Sequence, residues 1–269
     1  MRRFRIISTE QFKKMNIYQC LIALHAISLK EIRRFLRVWP QSIVSPSIHL
    51  ILYCIIFQNL AQPLQFSTQS IAYIDFISPA LILMGVITAS FDNSNLSFFN
   101  ARFRHTLDDQ LVSPMSNHLI IMGYVLGSLT RAIIVALIAL AVALVFTQLS
   151  IAHPLIMFIT IVFSSVIFSL LGLISAFFLE DFDQLNIIPN FVLTPLLLLS
   201  GIFFSIDQLE PSWQWIYHVN PLSYLIDSMR YSILDHQAPQ LSSIFMVSLF
   251  SLIMLYGVTL SLLKTLEND

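Results

Sequence analysis

The sequence predicts an all-α, polytopic membrane protein: six transmembrane helices, an N-terminal interfacial helix before them, and a re-entrant helical hairpin on the outer side. Three observations predict it. Only 11% of the 269 residues are charged and 57% are hydrophobic, against roughly 25% charged in a soluble domain. The apolar residues gather into runs that reach the ~20 residues a bilayer crossing needs. The basic residues fall almost wholly to one side of those runs.

Residues 1–16 form a basic, polar tail, and residues 17–269 a single transmembrane domain. Over 17–39 the pattern is helical and two-faced. Lys30, Arg33, Arg34 and Arg37 recur at steps of three and four, with Ile32, Phe35, Leu36 and Trp39 opposite. This is the arrangement of a helix lying in the headgroup zone, its cations toward anionic lipid. The apolar stretch 17–29 is short, runs into Lys30-Glu-Ile-Arg-Arg34 and has no small-residue cleavage site after it, so a removed signal peptide is excluded.

Six spans are expected: residues 42–60, 71–91, 119–149, 155–179, 187–206 and 244–263. Pro79, Pro189 and Pro195 lie in or at the start of them, which neighbouring helices or waters can accommodate. With both termini in the cytoplasm, twelve of the fourteen Lys and Arg residues fall on the cytoplasmic side, as the positive-inside rule requires. The loop Glu180-Asp181-Phe-Asp183 is on that side without a basic residue; acidic residues weigh little in the rule. The last external segment, 205–241, clusters Trp213, Trp215, Tyr217 and Tyr224, as aromatics do at a membrane interface. Two short helices, 211–219 and 222–234, are expected there, separated at Asn220-Pro221.

The chemistry is sparse. None of the six glycines precedes a lysine, so there is no phosphate-cradling P-loop. There is no His-Glu-x-x-His and no histidine pair at i and i+4, so no metal site is expected. Cys20 and Cys54 read as reduced packing residues. No basic run alternates with aromatics, so nucleic acid is not an expected partner. Ion-driven transport needs titratable groups in the spans, and only His49 and Asp75 offer one. Arg131 is the one charge well inside an apolar run. It either snorkels to the cytoplasmic face or serves a pathway or subunit contact. Thr194 and Ser200, with Ser164, Ser165 and Ser169, are candidate path-lining residues, although Ser and Thr also join helices.

One polar island interrupts the hydrocarbon, in the loop 92–118. Phe99, Phe103, Leu107 and Leu111 recur every four residues, flanked by Arg104, Asp108 and Asp109, and the island ends at Ser113-Pro114. An amphipathic helix of this kind is suited to docking in a partner's groove.

Three stretches resemble the membrane subunit of the type-2 ATP-binding cassette exporters, the bacterial drug and polysaccharide export type. They are Phe76-Ile-Ser-Pro-Ala80, with alanine in the family's usual glycine position; Thr106-Leu-Asp-Asp-Gln-Leu-Val-Ser-Pro114; and Thr194-Pro-Leu-Leu-Leu-Leu-Ser-Gly-Ile-Phe-Phe204 followed by Leu209-Glu-Pro-Ser-Trp213, Asn220-Pro-Leu-Ser-Tyr224 and Arg230. The resemblance spans roughly 17–263. It implies a permease domain in the bacterial inner membrane, paired with a second permease copy in a homodimer or heterodimer. It further implies two separate ATPase subunits, which bind the ATP and Mg and dock around Leu107, Asp108, Asp109, Leu111, Ser113 and Pro114. The chain itself would bind no cofactor and catalyse nothing. An ion-coupled secondary transporter and a non-transporting structural membrane protein are the alternatives.

Overall fold

The structure is a computed structural model that describes residues 16–60, 72–147, 149–205, 210–235 and 241–268. The expected basic tail, apart from Asn16, lies outside the described residues, as does the loop 61–71.

The described chain is helical throughout: α1 (Ile17–Arg37), α2 (Ser45–Leu60), α3 (Tyr73–Phe103), α4 (Thr106–Val112), α5 (Asn117–Phe146), α6 (Pro154–Phe177), α7 (Thr194–Leu198), α8 (Gln214–Val219), α9 (Pro221–Leu234) and α10 (Leu241–Asn268). Among the described residues, four helical stretches are long and apolar enough to cross a membrane: Pro40–Gln58, α3, α5 and α6. Helix α10 has 28 residues and contains the apolar stretch Ser251–Leu266. The polytopic all-α reading therefore holds.

Helix α3 is the axis, mostly buried and packed on α2, α5, α6 and α9. At 31 residues it is about 46 Å long, against ~30 Å of hydrocarbon. Its sequence-expected end at Phe91 is corrected to Phe103, because Asp92-Asn-Ser-Asn95 is helical and largely buried inside the bundle. Helices α3 and α5 thus project together at one end, called here the charged end because α1 and the loop residues Arg102 and Arg104 lie there. Helices α8 and α9, with Trp213 and Trp215, mark the aromatic end.

The expected fifth span, 187–206, is also corrected. It is a broken piece: a π-helical turn Pro189–Leu193, then the five-residue α7, then a turn at Gly201 with φ 82°. Together these pieces rise on the order of 15 Å, too little for one crossing helix. The cause is local. The Thr194 amide and hydroxyl both donate to the Pro189 carbonyl, five residues back, and Pro195 has no N–H to continue an α-helical ladder. The same spacing, Pro40…Ser45-Pro46, makes the π-helical turn Pro40–Val44, where the Ser45 amide donates to Pro40. Two Pro-x-x-x-x-Ser/Thr-Pro segments therefore give two π turns, a frequent site of helix bending.

The third span is Asn117–Phe146 and the fourth Pro154–Phe177, each within a few residues of expectation. The two short helices α8 and α9 are also close to where they were expected, with Asn220 capping α9 by accepting from the Leu222 amide.

Candidate functional site

The polar island is not one helix. Helix α3 ends at Phe103, the chain turns at His105 in the left-handed region (φ 56°), and α4 begins at Thr106. The four-residue stripe is therefore split across a turn, which resets its register. Leu107 is fully buried against Phe98, Phe99, Ile120 and Tyr124. It anchors α4 rather than presenting a contact. Leu111 is half-buried on the same cluster. Asp108, Asp109, Val112 and Pro114 are exposed, and Ser113 is half-buried, its hydroxyl donating to the Gln110 carbonyl at 2.5 Å. Val112, 75% exposed, is an outward residue that the stripe did not reveal. Asp108 Oδ2 accepts from His105 Nδ1 at 2.9 Å.

The α4 platform is braced from the α6–α7 connection. Phe182 stacks edge-on against Phe99 and Phe103, with ring centroids 4.9 Å away in each case. The Arg102 guanidinium donates to the Ala176 and Phe177 carbonyls at the end of α6.

Helix α1 differs from the simple two-faced expectation. Arg33 and Arg37 are exposed, but Arg34 turns inward and Glu31 is fully buried. Phe35 is buried, while Leu36 and Trp39 are exposed apolar residues. Glu31 Oε2 lies 3.2 Å from Arg34 Nε and accepts from the Ser97 hydroxyl of α3; Oε1 lies 3.4 Å from Lys30 Nζ. Arg34 Nη2 donates to both the Asn93 carbonyl (3.0 Å) and its side-chain oxygen (2.7 Å). Lys30 sits 5.1 Å over the Tyr124 ring. The close approach of α1 to α5 is made by glycine. A Cβ at Gly123 would fall 2.7 Å from Ile27 Cβ, and one at Gly127 would meet Glu31. Gly123-x-x-x-Gly127 is thus a small-residue seat for α1, a signal present in the sequence but not drawn from it.

From Asn93 the bonding continues inward. Its amide donates to Ser128 of α5 (3.0 Å); Ser128 meets Ser94 (2.6 Å); Ser94 meets Ser169 of α6 (2.5 Å); Ser90 donates to Ser165 (3.0 Å). Ser165 and Ser169 therefore join helices rather than line a path within this chain. Ser164 is buried too. Ser200 is buried and donates to Leu197, whereas Thr194 is exposed beside Phe191, Val192, Leu198 and Leu199. Arg131 is nine-tenths buried on the α5 face that carries Gly127. Its Nε has no hydrogen-bond partner among the described residues; Asp92 of α3, one position past the expected end of the second span, is the acidic charge that acts on it, without a direct ion pair. His49 is exposed and bonded to the Ser45 carbonyl at 2.7 Å.

At the aromatic end, Arg230 fixes the hairpin. It donates to the Phe76, Gly201 and Ile202 carbonyls, covers the Phe76 ring at 3.8 Å and lies 3.7 Å from Asp227. Asp227 also accepts from the Tyr217 hydroxyl at 2.6 Å. Burial pushes the Asp227 carboxyl above its ordinary value, and the Tyr217 donor and Arg230 hold part of that rise back.

The ABC-2 type transporter family matches residues 22–234. The chain belongs to that family. The inner membrane transport permease YadH of Escherichia coli K12 is 38% identical over 243 residues, covering 90% of this chain and 95% of YadH. Nodulation protein J of Neorhizobium galegae is 25% identical over 198 residues, 72% of this chain and 74% of that protein. This ABC-2 chain is accordingly a multi-pass inner-membrane protein and the permease subunit of an ABC transporter. The matched region opens within α1 and closes on Leu234, the last residue of α9. It thus contains α4, the Glu31 cluster and the Arg230 clamp, and leaves α10 beyond it.

Proposed function

We propose that this ABC-2 permease exports its substrate across the inner membrane by alternating access, driven by two separate ATPase subunits that dock on α4. The chain binds no cofactor itself; the partners hold ATP and Mg. Both termini and the charged end face the cytoplasm, and a second permease copy completes the path. The observation that carries the reading is α4: a seven-residue helix at the tip of two helices that outreach the bilayer, anchored inward by Leu107, with Asp108, Asp109, Val112 and Pro114 outward. A soluble partner can reach such a tip, and the chain has no P-loop of its own.

The cargo is taken to be amphiphilic or hydrophobic. Ser165 and Ser169, which could have lined a polar path, are engaged between helices, and the exposed face around Thr194 is apolar. The test is co-expression with the ATPase encoded beside this chain. A tagged permease is expected to co-purify that ATPase, and transport in vesicles is expected to stop on ATP depletion yet persist with an uncoupler. Transport that survives ATP depletion and collapses with the uncoupler overturns the reading in favour of ion coupling.

A further inference from the structure

A buried carboxylate on a surface helix is costly unless its neighbours satisfy it. Glu31 is held from three directions: Oε2 accepts from Arg34 on its own helix and from Ser97 on α3, while Oε1 has no hydrogen bond among the described residues and faces Lys30 as an ion pair. Arg34 carries the connection on to both oxygens of Asn93, and Asn93 to Ser128 of α5. Beneath Glu31 there is no side chain to slide over, because Gly127 brings the α5 backbone against it, and Gly123 does the same one turn earlier under Ile27. On the other flank, Lys30 covers Tyr124, whose hydroxyl reaches Gln110 of α4 at 3.5 Å. A helix held only by lipid affinity needs none of these features.

We propose that Glu31 is a positioning residue that locks α1 to α3 and α5, so that these helices, with α4 at their tip, move as one rigid lever when the ATPases close. The interfacial helix is then not a hinge against the bundle. Bending falls beyond it, at the π-helical turn Pro40–Val44, where the ladder is already irregular. This rests on the permease reading above.

Two measurements test it on the full chain in lipid nanodiscs. The first is amide hydrogen exchange on the permease alone. Residues 27–35 are expected to be protected like the adjoining half of α5, and Glu31→Gln to speed their exchange about a hundredfold while α6 is unchanged. Fast exchange in the wild type, or none of that acceleration, overturns the lock whether or not the chain transports. The second uses the complex with its ATPase. Glu31→Gln and, separately, Gly127→Ala, whose added Cβ would meet the Glu31 side chain, are each expected to lower transport per ATP hydrolysed, and the double variant to be no worse than the poorer single one. Unchanged transport per ATP in both single variants, or losses that multiply in the double variant, overturns the rigid lever. A wild-type complex that does not transport on ATP sinks the permease reading instead, and leaves the exchange result to decide the lock.

Discussion

Leu107 shares its spacing with Phe99, Phe103 and Leu111, yet it has no exposed surface, while Val112 one turn on is 75% exposed. The two sets of residues should separate by experiment. Leu107→Ala removes a fully buried side chain and is expected to lower stability by about 2–5 kcal/mol, read as an earlier thermal transition in detergent. Asp109→Arg and Val112→Asp touch only exposed positions and should leave that transition in place while reducing ATPase co-purification. The inward turn of Leu107 was not legible in the sequence, because His105 in the left-handed region breaks the periodicity on which the stripe depends. Glu31 was hidden for a different reason. A lone acid among Lys30, Arg33, Arg34 and Arg37 reads as part of a solvated face, and only the Gly123–Gly127 seat opposite makes it a buried one. Asp92, whose charge acts on Arg131, was missed because the second span was ended at Phe91 while the helix runs on to Phe103.

Among the elements, helices with long apolar runs were legible to within a few residues at α5 and α6, since length and hydropathy decide them. Helices α8 and α9 were legible from Asn220-Pro221, where the asparagine caps and the proline fits the first turn. The segment 187–206 misled because its composition is that of a span while its backbone is set by Pro189, Thr194 and Pro195. Pro195→Ala returns one amide to the ladder. It is expected to slow hydrogen exchange across Thr194–Leu198, and unaltered exchange there would show that the π turn is imposed by packing instead of by proline. The Pro40 turn precedes Pro46 at the same spacing, so the same substitution at Pro46 has the same expected direction.

For the whole molecule, the fold places its polar chemistry at two ends of an apolar bundle. At the charged end, the Glu31 cluster, the α4 tip and the Phe182 brace are joined through α3 and α5. At the aromatic end, Arg230 ties α9 to α3 and to the turn at Gly201. Helix α3 runs between them, so a push on α4 has a continuous, packed route to the hairpin. The overall class was readable because a bilayer demands long apolar helices and tolerates little else. The coupling between ends was not, since it depends on which serines and charges meet across helices far apart in sequence. The most direct measurement places a photo-crosslinking residue at position 112 on α4 or at position 215 on α8, in membranes containing the ATPase. The account predicts an ATPase adduct from position 112 and none from position 215. No adduct from 112, or one from 215, would contradict it.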